Sequence, residues 1–287
     1  MNKFAVIDIG SNSVRLMFVA DGKVLYKRLN TTRLGEGLAK NPILLDEAIN
    51  RTAQAVHAFY LQAKEEGASS VYAFATAAVR TAKNGKAFVE AVKNLCPLDV
   101  EVVSGEREAE LGILGALGDK DGAVVDLGGA SCELVVKEKG EIAYKKSVDI
   151  GVVRLKDRCG RDKLLLEKVA CEEVDKYGKT PNIKSVVAIG GTATTIAAML
   201  LGLEKYDSDK VTGTEISAKQ MEETADMLLE KSVDEIAAMP CMPKGRADVL
   251  AGGAKLLAVL MQKLGIEKLV VSDKDNLEGY AVQKGLL

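Results

Sequence analysis

The sequence predicts an α/β protein built from two similar lobes with a cleft between them. Short apolar runs of strand length alternate with helical apolar patterns along the 287 residues. This order of elements restarts after the turn-rich residues 118–122, and several residues of the first half recur 118 positions later. A chain of this length has room for two modest domains, each with its own core.

The first lobe is predicted over residues 1–118 with the element order βββαβαβα. Asp21 and Gly22 form a strong hairpin signal between the second and third strands, and Gly67 ends the first long helix. The predicted strands are residues 4–9, 14–20, 23–29, 71–75 and 100–103, and the predicted helices are residues 45–66, 85–95 and 106–117.

The second lobe is predicted over residues 119–287 and begins with the same three-strand order. The predicted strands are residues 123–127, 132–137, 141–148, 185–189 and 268–271. The predicted helices are residues 152–158, 163–177, 194–201, 218–230, 246–264 and a terminal helix of about residues 277–287. We expect that terminal helix to pack back on the first lobe.

The internal repeat places the chemically demanding residues in register. With an offset of 118 positions, Asp8 matches Asp126, and Leu16 matches Leu134. The same offset brings Gly10 onto Gly128, Ser13 onto Ser131 and Gly22 onto Gly140. Duplication of a three-stranded unit with helices is the interpretation that we prefer, and a cleft between two such lobes is a common place for a ligand.

The loop after the first strand has the composition of an anion-binding turn. Backbone N–H groups that follow a glycine turn can point at one spot, and small polar side chains add donors without blocking access. A plain β-hairpin is the alternative for one such loop. The candidate phosphate-binding residues here are Gly10, Ser11, Asn12, Ser13 and Arg15, and Asp8 is an additional candidate metal ligand.

The corresponding loop of the second lobe is bracketed by two acids. Asp126 and Glu133 would bring hard oxygen ligands near one cation, which favours Mg²⁺ or Mn²⁺. A tight turn with surface acids is the alternative interpretation. The candidate phosphate-binding residues are Gly128, Gly129, Ala130 and Ser131, with Gly191 and Thr192 from a weaker glycine turn that opens a helix.

A helix start at residues 104–111 carries three glutamates, Glu106, Glu108 and Glu110. Acids are favoured at helix N-termini, so periodicity alone does not choose a functional one among them. Arg80 ends another strand-like run and could reach the same cleft as a bidentate phosphate clamp, or it could be an ordinary surface arginine.

Composition argues against several classes of protein. With 39 basic and 41 acidic residues the net charge is −2, which does not support binding to bulk nucleic acid. The single histidine, His57, excludes a multi-histidine metal site and is expected to be partly exposed on a helix. The five cysteines form no CxxC pair, and no apolar run predicts a signal peptide or membrane span. We therefore expect a cytoplasmic protein without membrane contact, for which a homodimer stays open.

Six motifs occur in an order that resembles the exopolyphosphatase/guanosine pentaphosphate phosphatase (Ppx/GppA) family of the acetate kinase–Hsp70–actin superfamily. They are IDIGSNSVRL at residues 7–16, AVR at 78–80, SGEREA at 104–109, DLGGASCE at 126–133, GGT at 190–192 and RAD at 246–248. The resemblance implies two ribonuclease-H-like lobes around a cleft. It also implies hydrolysis of the terminal phosphate of polyphosphate, or of the 5′ γ-phosphate of guanosine pentaphosphate.

The resemblance also implies roles for individual residues. Glu108 corresponds to the catalytic base, Asp126 and Glu133 to the metal-linked acids, and Arg80 to a phosphate-binding arginine. The chain resembles a short form of the family without the C-terminal HD-type region, and Leu277 stands where many members have arginine. Two alternatives stay open: a small-molecule kinase of the same superfamily, and a non-catalytic sensor of polyphosphate or guanosine tetra- or pentaphosphate.

Overall fold

Two mixed β-sheets organise the chain in this computed structural model, which describes residues 2–287. The first sheet has the strand order β3-β2-β1-β4-β5, in which β1, β2 and β3 are antiparallel neighbours and β4 and β5 continue parallel to β1. Its strands are β1 Lys3–Ile9, β2 Ser13–Ala20, β3 Lys23–Thr31, β4 Ser70–Ala75 and β5 Val100–Val102.

The second sheet repeats this arrangement and adds one edge strand, giving the order β10-β11-β9-β6-β7-β8. Strands β6, β7 and β8 are again antiparallel neighbours, and β9 and β11 continue parallel to β6. The strands are β6 Gly122–Leu127, β7 Cys132–Glu138, β8 Glu141–Val148, β9 Ser185–Ile189, β10 Glu215–Ser217 and β11 Lys268–Val271. The predicted two-lobe α/β fold class is therefore confirmed.

Helices cover both sheets. Those within the first lobe are α1 Asp46–Glu65, α2 Ala77–Thr81, α3 Gly85–Leu95 and α4 Gly105–Leu117. Those that follow β8 are α5 Val152–Cys159, α6 Lys163–Asp175, α7 Gly191–Leu200, α8 Ser208–Val211, α9 Ala218–Glu230, α10 Val233–Ala237, α11 Ala247–Leu264 and α12 Asn276–Gln283. Within residues 2–287, no helix combines the length and the apolar character needed to cross a membrane.

The structure differs from the sequence prediction at its shortest elements. The run that contains Arg80 is the short helix α2, not the end of a strand, and the amide of Arg80 donates to the carbonyl of Thr76. A short alanine-rich apolar run has no periodicity that separates helix from strand. Strand β10 was not predicted because it has three residues, of which Ile216 alone is buried.

The internal repeat is visible in the backbone as well as in the sequence. The amide of Gly10 donates to the carbonyl of Ser13 at 3.0 Å, and the amide of Gly128 donates to the carbonyl of Ser131 at 3.1 Å. The second strand of each lobe also has a bulge against the third, after Phe18 and after Val136. Both pairs of features are 118 residues apart, which supports duplication of one structural unit.

The last helix, α12, packs on α4 and β1 of the first lobe. Leu277 is fully buried there in an apolar cluster that includes Phe74 and Leu111, so it contributes to packing and not to the cleft. The helices approach closely because both carry glycine: a Cβ at Gly279 would lie 1.9 Å from the carbonyl oxygen of Leu111. A Cβ at Gly115 would lie 1.8 Å from the carbonyl oxygen of Asp275.

We predict that Gly279→Ala lowers the free energy of unfolding by about 2–3 kcal/mol, because the added methyl group meets a rigid backbone and forces the helices apart. Denaturant unfolding followed by circular dichroism measures the effect. Gly252→Ala on α11 is the matched control, since its Cβ would be 3.5 Å from Leu166 and the change favours helix formation. Wild-type stability of Gly279→Ala would contradict the close packing.

Candidate functional site

A cavity of about 310 Å³ lies between the two sheets, where the hairpin turns of both lobes meet. It is lined by the turns after β1 and β6, by the start of α7 and by the residues between β11 and α12. The predicted site residues that line it are Asp8, Gly10, Ser11, Asn12, Ser13, Arg15, Glu108, Asp126, Gly128, Gly129, Ala130, Ser131, Gly191 and Thr192.

Direct contact between the two turns closes one side of the cavity. A Cβ at Gly129 would lie 2.8 Å from the Cβ of Ser11 and 3.0 Å from the amide nitrogen of Asn12, so only glycine allows this approach. Glycine is favoured at Gly10 by limited space and not by a left-handed backbone conformation. Its φ is not positive, but a Cβ would lie 3.1 Å from the carbonyl oxygen of Ser13.

Arg246 is a cationic group of the cavity that was not among the residues predicted to bind phosphate. Its side chain is buried, and within residues 2–287 its guanidinium group has neither an acidic partner nor a hydrogen bond. Burial and the nearby charge of Arg15 lower the pKa of Arg246 to about 10. A buried cation without a counter-charge is costly, which indicates a site for an anionic ligand.

Gly191 gives Arg246 its position at the start of α7. A Cβ at Gly191 would lie 2.0 Å from Nη1 of Arg246, so the guanidinium group occupies the space where any other side chain would begin. The N-terminus of α7 also carries unpaired helix donors and a partial positive charge. Arg246 and α7 therefore both favour an anion in this part of the cavity.

Arg15 also lines the cavity, but its guanidinium group is already neutralised. Its Nε donates to Asp8 at 3.1 Å, its Nη2 donates to the same carboxylate oxygen, and its Nη1 donates to Asp275. The direct phosphate contact expected from the sequence would require Arg15 to exchange one of these partners, so this contact stays a prediction.

Asp126 and Glu133 are cross-strand neighbours on β6 and β7, in the register that Asp8 and Arg15 occupy in the first lobe. Asp126 accepts a hydrogen bond from the side chain of Asn276 at 2.8 Å. Glu133 accepts one from Ser147 through Oε1 at 2.6 Å, whereas its buried Oε2 has no partner within residues 2–287. Two like charges thus adjoin where the first lobe has an ion pair.

The electrostatic consequence is a set of carboxylates that resist ionisation. Burial, followed by the charge of Asp275, raises the pKa of Asp126 to about 6. Burial, followed by the charges of Glu108 and Asp126, raises the pKa of Glu133 well above its usual value. A cation in their midst would relieve this repulsion.

Glu108 is the glutamate of α4 that the fold brings into the cavity. Its carboxylate Oε2 accepts a hydrogen bond from Nη1 of Arg80 at 2.9 Å. Burial raises the pKa of Glu108 to about 7, with Arg80 opposing this and Asp126 adding to it. Glu106 is exposed, and Glu110 forms an ion pair with Lys145 at 2.7 Å, so neither competes for the site.

Arg80 and Glu133 are the two predicted site residues that do not line the cavity, although each adjoins one that does. Arg80 holds Glu108 and also donates to the carbonyl of Val103 at 2.9 Å. Arg246, Asp275 and Asn276 are lining residues that the predicted site omits. Their positions depend on long-range packing. The signals in the sequence were the RAD motif for Arg246 and, for Asp275 and Asn276, the family-like stretch that contains Leu277.

The residues around Asp126 fit a divalent metal of the magnesium type. Within residues 2–287, no group of three His, Cys, Asp or Glu side chains is arranged to hold a metal alone. Mg²⁺ usually takes one or two carboxylates and completes its shell with water and phosphate oxygens. The partnerless oxygen of Glu133 beside the carboxylate of Asp126 is consistent with that ligand set.

Comparison with known proteins identifies the family. A model of the Ppx/GppA phosphatase family matches residues 17–286. Exopolyphosphatase 2 of Mycobacterium tuberculosis is 31% identical, over 98% of this chain and 98% of that protein. The guanosine-5′-triphosphate,3′-diphosphate pyrophosphatase of Photobacterium profundum is 28% identical over 99% of this chain, which spans 58% of that protein.

A solved structure shows the same relationship. The crystal structure of the Aquifex aeolicus Ppx/GppA family member superposes with a TM-score of 0.78 and 30% sequence identity, covering 99% of this chain and 98% of that one. The sequence match, the shared two-lobe architecture and the order of the motifs agree, and the chain belongs to the Ppx/GppA phosphatase family.

Proposed function

We propose that this chain hydrolyses the terminal phosphoanhydride bond of inorganic polyphosphate or guanosine pentaphosphate, with a divalent metal and with Glu108 as general base. The observation that carries the proposal is a single cavity containing a buried arginine without a counter-charge and a carboxylate with a pKa of about 7. The names of the related proteins, an exopolyphosphatase and a guanosine-5′-triphosphate,3′-diphosphate pyrophosphatase, support both substrates.

The two turns supply donors for the phosphate oxygens. Within residues 2–287, the backbone amides of Ser11, Asn12, Gly129 and Ala130 donate to no protein acceptor, and all four residues line the cavity. Backbone amides that converge in such turns bind anions through fixed partial charges. Together with Arg246 they would hold the terminal phosphate and spread its negative charge over several donors.

Glu108 would orient a water molecule and accept its proton as the water oxygen attacks the terminal phosphorus. A general base works best when its pKa lies close to the operating pH, and that of Glu108 is near neutrality. Arg80, which is not a lining residue of the cavity, holds the carboxylate by its hydrogen bond. The bond that breaks joins the terminal phosphorus to the bridging oxygen, which leaves with the shortened chain.

Asp126, with Glu133 beside it, would hold the divalent metal. Mg²⁺ would supply charge neutralisation for the phosphate oxygens, and Mn²⁺ offers the same ligand preferences. Asn276 donates to one oxygen of Asp126 at 2.8 Å and thereby orients the carboxylate.

The primary test is phosphate release from the purified protein. Long-chain polyphosphate and guanosine pentaphosphate are supplied separately with Mg²⁺, with Mn²⁺ and with chelator. Metal-dependent release is the expected result, and the ratio of the two rates identifies the preferred substrate. ATP turnover that requires a small-molecule acceptor would favour a kinase, and tight binding without turnover would favour a sensor.

We predict that Glu108→Gln lowers kcat by about 10²- to 10⁴-fold, because the proton acceptor is lost while the phosphate donors stay in place. The Kd for polyphosphate should change little, which separates chemistry from binding. Glu110→Gln is the matched control on the same helix, since Glu110 pairs with Lys145 outside the cavity. A near wild-type rate for Glu108→Gln would assign the base to another residue.

We predict that Arg246→Gln raises KM by about 10- to 100-fold, the range expected for loss of a hydrogen bond to a charged ligand. Gly191→Ala should act in the same direction, because its methyl group displaces the guanidinium group of Arg246. The melting temperature of both variants should stay close to that of the wild type. Removing a buried cation that has no counter-charge, or displacing it from its buried position, is not destabilising. An unchanged KM in both variants would remove Arg246 from the site.

We predict that Asp126→Ala shifts the Mg²⁺ activation curve to higher concentration, because a ligand oxygen is lost. Titration of activity with Mg²⁺ and with Mn²⁺ measures this shift directly. If the curve of the variant coincides with that of the wild type, the metal is held elsewhere.

A further inference from the structure

Asp275 places a carboxylate in the same cavity as Arg246 and the two turns, which favour an anion. Asp275 is buried and lines the cavity. Its Oδ2 accepts a hydrogen bond from Nη1 of Arg15. Its Oδ1 accepts from the amide of Leu277 at 3.0 Å, as the N-cap of α12. The same carboxylate therefore has two separable functions, a helix cap and a counter-charge.

Arg246 and Arg15, two of the arginines that line the cavity, differ in how they are compensated. Within residues 2–287, Arg246 has no acidic partner, whereas three nitrogens of Arg15 donate to the carboxylates of Asp8 and Asp275. Asp8 adjoins Arg15 on the neighbouring strand. Asp275 comes from 260 residues further along the chain and supplies the second negative charge.

Lys27, another cation at this end of the cavity, is also paired with carboxylates. Lys27 lies 3.0 Å from a carboxylate oxygen of Asp273 and 2.8 Å from one of Glu278. Residues 273–278 thus bring three acids against Arg15 of β2 and Lys27 of β3, whereas Arg28 of β3 also lines the cavity. A phosphate chain that extended to Arg15 and Lys27 would meet these acids as well.

We infer that Asp275 is a specificity-determining residue, whose carboxylate occupies Arg15 and limits the affinity of the cavity for longer phosphate chains. This inference rests on the proposed function. A terminal phosphate held by Arg246 and the two turns does not require Arg15. A further phosphate that contacts Arg15 must compete with Asp275 and lie beside its negative charge, which costs affinity.

Asn is the substitution that separates the two functions of Asp275. It is an equally good N-cap, because its side-chain oxygen accepts the same backbone hydrogen bond, but it carries no charge. Asp275→Ser is a second variant that preserves the cap with a shorter side chain. Asp162→Asn is the matched control, since Asp162 caps α6 by accepting from the amide of Leu165 at 2.9 Å and does not line the cavity.

The experiment compares the affinities of tripolyphosphate and long-chain polyphosphate by isothermal titration calorimetry. The proteins carry Glu108→Gln and are titrated with Mg²⁺ present, and KM is measured in parallel with Glu108 intact. We expect Asp275→Asn to bind long-chain polyphosphate at least about tenfold more tightly, with a smaller gain for tripolyphosphate. Asp162→Asn should bind both as the parent protein does.

The gain must also depend on Arg15. Adding Arg15→Gln to Asp275→Asn should abolish it, a result that a purely structural role of Asp275 would not produce. Equal or weaker binding by both folded variants, Asp275→Asn and Asp275→Ser, would overturn the inference, and so would an equal gain for the two chain lengths. Failure of the proposed function would appear differently, as absence of phosphate release from the wild type.

Discussion

The contact between the two hairpin turns is the constraint on which the site depends. Gly129 lies against Ser11 and Asn12 with no room for a side chain, and Gly151 lies so close behind Gly129 that a Cβ there would be 2.4 Å from its carbonyl carbon. Equivalent parts of a duplicated unit thus face each other across the cleft. Because the turns touch, their free amides line one cavity together with the charged groups.

Duplication explains why the two halves of the site have opposite electrostatic character. The same register position carries Arg15 in the first lobe and Glu133 in the second, each opposite an aspartate. The first lobe therefore has a neutral pair, Asp8 with Arg15, whereas the second has two carboxylates, Asp126 and Glu133, which favour a cation. Among residues 2–287, Arg246 has no acidic partner and adds a positive charge. A metal-bound phosphate chain, which carries both signs, complements such a cavity.

Much of the architecture could be predicted because it follows from local periodicity and from the repeat. The strands, the turns and Glu108 within its motif are read from neighbouring residues. The partners of charged groups could not be read in this way, since they depend on how distant segments pack. Arg15 pairs with Asp275 across 260 positions, and Arg80 donates to Glu108 across 28 positions. Long-range charge pairing is therefore where the sequence is least informative.

The place of α12 has a consequence for the order in which the protein folds during synthesis. This helix follows both sheets in the chain, yet its Leu277 and Tyr280 complete the apolar cluster around Phe74 in the first lobe. During synthesis, Leu111 of α4 can cover part of that face, but the cluster is completed only after the second lobe and then α12 have emerged. The lobe that comes first in the chain is thus the last to be completed.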